Sequence, residues 1–64
     1  MRVFVVGSYS STKFFEYFGH RDVGTFLVNS DNVITASVAT NTHTLKNTAN
    51  SGGFRYIAFV KPLL

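Results

Sequence analysis

Sixty-four residues with a net charge of +3 and no cysteine allow one small domain, held by neither a disulfide nor a thiolate metal site. An apolar content of 45% against 14% charge argues against intrinsic disorder. Arg2, Lys13 and Arg21 are balanced by Glu16, Asp22 and Asp31, so the whole positive excess, Lys46, Arg55 and Lys61, falls in the acid-free second half.

Seventeen Val, Ile and Thr residues against nine Ala, Leu and Glu favour strands over helices. Arg2–Val6 reads as a first strand, with four consecutive apolar residues stopped by Gly7. Ser8–Thr12 supplies hydroxyl side chains suited to capping a helix start. Phe14, Tyr17 and Phe18 then stand at i, i+3 and i+4, which predicts a short helix over Lys13–Phe18 with Gly19 as its C-cap. Gly24–Asn29 and Val33–Thr40 read as an antiparallel pair around the turn residues Asn29–Asn32. In the second of them Ile34, Ala36 and Val38 share one face, and Thr42–Leu45 extends the sheet. Lys46–Gly53 is a loop. Phe54–Lys61 is the strongest strand, apolar on both faces and ended by Pro62. The expected fold is α+β and β-rich, ordered β-α-β-β-(β)-β. Its four to five strands form a small antiparallel sheet or an open small barrel, with one short helix, in a single domain over 1–64.

Catalysis is not expected. Acid–base chemistry needs at least two convergent titratable groups, and the inventory is Glu16, Asp22, Asp31, His20 and His43. His20 and Arg21 are more simply cations at the end of the expected helix. Two histidines so far apart do not make a metal site, and no cofactor is implied. Val3–Gly7 lacks the further glycines of a dinucleotide-binding turn. The longest apolar run near the N-terminus, Val3–Val6, falls well short of a membrane span or a signal-peptide core. The expectation is a cytoplasmic protein that does not engage a membrane.

Aromatic residues beside cations on strands are the stronger signal, because rings stack bases while cations track phosphates. Phe4 and Tyr56 are the candidate stacking residues, and Lys46, Arg55 and Lys61 the candidate phosphate contacts. Gly53–Phe59 resembles the third-strand segment of RNA-recognition-motif domains, and Arg2–Gly7 resembles their first-strand segment. The resemblance implies base stacking by Phe4, Tyr56 and Phe54. It is confined to these two segments, with Arg55 where that family has a small residue and Gly52 where it has a cation, so no membership follows. The order of a helix followed by a bent sheet is also similar to Sm-like barrels, as topology only.

Core demand competes for the same rings, with Phe15, Phe18, Phe26 and one face of Phe54–Val60 as the expected core. The sequence therefore supports two functions. One is a non-catalytic single-stranded nucleic-acid binder, RNA or DNA. The other is a protein-interaction module, an accessory or inhibitory subunit of a larger protein, of the kind compact viral genomes encode. A two-sided apolar strand in a single-layer sheet further predicts a homo-oligomer, a dimer, with Phe54, Ile57 and Phe59 at its interface.

Overall fold

Phe15 and Tyr17 both lie fully inside the protein, and this fixes the conformation of the segment that carries them. Residues i and i+2 of a helix point about 200° apart, whereas in a strand they share a face. The segment expected to be helical is accordingly a strand. In the computed structural model, which describes residues 2–40, 42–48 and 53–61, six strands account for the regular structure. They are β1 (Arg2–Ser8), β2 (Phe14–His20), β3 (Val23–Asn29), β4 (Ile34–Ala39), β5 (Thr42–Asn47) and β6 (Arg55–Lys61). Among the described residues the only helical element is a 3-10 turn at Ser30–Asn32. The fold is β-rich, and the expected helix is absent.

The strands form two antiparallel sheets, one ordered β3-β2-β1-β6 and the other the hairpin β4-β5. β1 does not stop at Gly7 but runs through it to Ser8, opposite Phe15 on β2 and Tyr56 on β6. Phe15 lies across Gly7, where a Cβ would stand 2.6 Å from the ring. The serines expected to cap a helix instead build the β1–β2 turn. Ser10 Oγ accepts from the Lys13 amide at 3.1 Å, and the Tyr9 amide donates to the Lys13 carbonyl. The Tyr9 hydroxyl donates to the Ser30 carbonyl, tying this turn to the 3-10 turn. His20 and Val23 pair across a tight turn at Arg21–Asp22, so these charged residues close a hairpin rather than a helix. Arg21 takes the left-handed conformation there, at φ 56°.

Strands β3 and β4 do not pair, contrary to expectation. The 3-10 turn, with Asp31 and Asn32 at positive φ, carries the chain out of the first sheet and over its inner face. Asn29 holds the crossing, its Nδ2 donating to the Ile34 carbonyl at 2.7 Å and its Oδ1 accepting from the Ile34 amide. The Thr48 hydroxyl and amide both donate to the Val33 carbonyl and close the far end of the hairpin. The loop expected at Lys46–Gly53 begins later, because β5 continues to Asn47; residues 49–52 and Pro62 lie outside the described residues.

Between the hairpin and the sheet sits the core of Val5, Phe15, Tyr17 and Ile34, with Val3, Tyr9, Phe26, Leu45 and Phe54 packed around it. Each such side chain contributes about 1.5–3 kcal/mol when fully buried. Aromatic edges meet faces throughout. Phe15 meets Phe54 at 5.3 Å and 90°, and Tyr17 meets Phe26 at 5.0 Å and 62°. Two core expectations fail. Phe18 points away from this cluster and is 38% exposed, because it alternates with Tyr17 along a strand. β6 is exposed along its whole length on both faces, since the hairpin is too narrow to reach over it.

Candidate nucleic-acid interface

The registers of the four-stranded sheet sort its outer side chains into rows. Phe59, Phe4, Phe18 and Thr25 stand opposite one another across β6, β1, β2 and β3. Beside them runs the row Lys61, Arg2, His20 and Val23. On the other side lie Ile57, Val6, Glu16 and Val28, then Arg55, Ser8 and Phe14. The outer face thus carries a row of three Phe rings with Lys61 and Arg2 beside it at one end.

Phe4 and Phe59 lie nearly parallel, with centroids 6.4 Å apart and 27° between their planes. Phe59 is 59% exposed, whereas Phe4 is half-buried between its two neighbours. Arg2, Phe4, Phe18, Phe59 and Lys61 line an open depression of about 520 Å³. The acid on this face, Glu16, stands beyond the aromatic row from Arg2 and Lys61, on the side of Arg55. Lys13 is engaged elsewhere, 2.7 Å from Asp31, whose hydrogen bond and charge raise the lysine pKa above its ordinary value.

Of the residues selected from sequence, this face gathers Phe4, Arg55, Lys61, Ile57 and Phe59. Tyr56 pairs with Gly7, and so faces the opposite side of the sheet from Phe4. Lys46 lies on the exposed side of the hairpin, alternating with the half-buried Leu45. Phe54 packs edge-on against Phe15 and 5.7 Å from Tyr56. The segments resembling RNA-recognition strands are indeed neighbours, but Phe4 and Tyr56 do not share a stacking surface. Phe18, Arg2 and His20 were missed. Reading residues 14–20 with a period of two would have placed Phe18 and His20 on one face.

The inner face carries a second arrangement. His43 Nε2 donates to the Arg21 carbonyl at 2.9 Å, since a carbonyl only accepts. In the neutral ring Nδ1 then accepts the Tyr17 hydroxyl proton at 2.6 Å. The His43 ring lies over Gly19 and the Tyr17 hydroxyl over Gly24, positions where a Cβ would collide with them. Both polar ends are therefore satisfied within the fold, beside a groove of about 350 Å³ that also touches Tyr56 and Ala58.

Burial raises the Tyr17 pKa above its ordinary value, because the phenolate would lose its water. The unfolded chain ionises this group near pH 10, so above that pH it binds fewer protons than the folded chain and stability falls. The loss continues until the pH reaches the raised folded pKa. Tyr17→Phe removes this contribution. Urea midpoints measured from about pH 9 to pH 11 should fall less steeply in the variant, and an unchanged slope contradicts the assignment.

No three His, Asp or Glu residues among those described are placed to hold a metal ion, and no helix among them is long and apolar enough to cross a membrane. Comparison with protein-family models, curated proteins and solved structures yields no match.

Proposed function

We propose that this protein is a non-catalytic binder of single-stranded nucleic acid, acting in the cytoplasm through the outer face of its four-stranded sheet. One observation carries the proposal: the row Phe18–Phe4–Phe59 lies beside the row Lys61–Arg2–His20. The rows are two residues apart along each strand, or about 7 Å. Bases stack on the rings while the phosphates of the same strand reach Lys61 and Arg2. Arg55 offers a further phosphate contact at the opposite end of the face. The contacts are to rings and charges, so binding is tolerant of sequence.

Fluorescence anisotropy with a labelled oligonucleotide at two salt concentrations tests this. Phe4→Ala or Phe59→Ala weakens binding about five- to a hundred-and-fiftyfold, one stacked base being worth about 1–3 kcal/mol. Arg2→Ala and Lys61→Ala each lower the slope of log affinity against log salt by about 0.7, one phosphate contact apiece. Affinity that is indifferent to salt, or to Phe4→Ala, contradicts the proposal.

A second function, as an accessory subunit docked on a larger protein, is favoured by the exposure of Ile57 at 64% and Val60 at 62% on opposite faces of β6. Affinity capture before and after nuclease treatment separates the two. A protein partner retained after nuclease supports docking, and loss of every partner supports nucleic acid.

A further inference from the structure

We infer that β6 is a self-association edge, where two copies pair their β6 strands antiparallel about a two-fold axis through Ala58. The result is one continuous eight-stranded sheet. This inference stands apart from the nucleic-acid proposal and rests on other features.

The four-stranded sheet has two edges, and they differ. β3 is irregular, because its register with β2 shifts between Glu16 and Tyr17, leaving Leu27 without an opposite residue. It also carries Gly24 beside its closing turn. Bulges and glycine blunt an edge against further pairing. β6 has neither. Its seven residues pair in unbroken register with β1, and half of its backbone N–H and C=O groups necessarily point outward. With one regular edge and one blunted edge, association closes at two copies rather than running on as a fibre.

The order of residues in β6 shows why the occupant is a second copy. Arg55-Tyr56-Ile57-Ala58-Phe59-Val60-Lys61 is close to a palindrome in residue class about its small central residue. An axis through Ala58 sets Ile57 opposite Phe59 of the other copy, and Tyr56 opposite its Val60. Both are aromatic–aliphatic β-branched pairs, among the favourable cross-strand combinations. On the outer face, Phe4 and Phe59 of one copy then continue into Ile57 and Val6 of the other as one apolar stripe. Exposure of β6 on both faces is thereby reduced from the side.

The same register brings Arg55 of one copy opposite Lys61 of the other, a like-charge pair at each end. That repulsion makes the arrangement testable. Sedimentation equilibrium without nucleic acid should give twice the 7.1 kDa chain mass at high micromolar concentration. The dimer should tighten as salt rises, opposite in sign to nucleic-acid binding. Lys61→Glu should lower its dissociation constant about tenfold, since two repulsive pairs become attractive. Ala58→Lys, which sets two ammonium groups face to face, should sediment at the single-chain mass. An equal mixture with Ala58→Glu should restore the double mass.

Wild-type protein that remains at the single-chain mass overturns the inference. So does a dimer weakened by Lys61→Glu, or one that survives Ala58→Lys. Circular dichroism checks that the Ala58 variants fold; should they unfold, the exposed Lys61→Glu decides alone.

Discussion

Phe15→Ala should lower the free energy of unfolding by about 3–5 kcal/mol at 25 °C. Phe15 has no exposed surface and meets the edges or faces of Phe26 and Phe54 while covering Gly7. Truncating a buried Phe costs about 3–5 kcal/mol, the lost transfer energy and the cavity together. A chain of 64 residues has about 3–10 kcal/mol of stability in all. Removal of the ring thus takes from a third of that reserve to the whole of it. Equilibrium urea unfolding is the measurement, and a midpoint equal to that of the wild type contradicts the placement of Phe15.

Gly7→Ala should destabilise by about 1–3 kcal/mol, the usual cost of forcing extra volume into a packed core. The sign is the informative part. In an ordinary strand interior, Gly→Ala is favourable by about 0.5–1 kcal/mol, because the unfolded chain loses freedom. Here the added Cβ would stand 2.5 Å from the Arg55 carbonyl oxygen and 2.6 Å from Phe15 Cζ. The first obstacle is backbone, and the second is a ring packed on its other sides. A stabilised Gly7→Ala variant in thermal or urea unfolding shows that the ring does not lie across β1.

The strands built from unbroken apolar runs with β-branched residues were the easiest to find in the sequence. β1 and β6 are runs of apolar and β-branched residues, and both are present nearly as expected. β2 was concealed by having Phe on both faces. Phe14 and Phe18 look outward and Phe15 and Tyr17 inward, yet positions 14, 17 and 18 mimic a helical stripe. The feature that decides for a strand lies elsewhere in the chain, in glycines that receive the inward rings. The turn at Asn29–Asn32 was legible as a turn, but its residue types do not say whether the flanking strands pair or part. They part because the Asn29 side chain bonds the backbone of Ile34. The candidate interface was legible to the same degree. Phe4, Arg55 and Lys61 could be selected from their types, whereas the exchange of Tyr56 for Phe59 beside Phe4 depends on a register that no local pattern encodes.

The pairing of β1 with β6 also sets the order in which the protein assembles. β1 meets β2, β2 meets β3 and β4 meets β5 each across a short connection, so all three hairpins can form within microseconds. β6 reaches β1 only after the chain from Ser8 to Arg55 has been brought round, and that loop entropy is lost before any ladder bond repays it. β6 is therefore the last strand to dock, and its attachment governs the folding rate. Until then Val3, Phe4 and Val5 form an unpaired sheet edge, and β6 itself is a free apolar segment. A neighbouring chain in the same condition can supply the missing strand as readily as the protein's own, so fast refolding at high concentration should favour strand-exchanged species over sheets in which each β1 pairs with the β6 of its own chain.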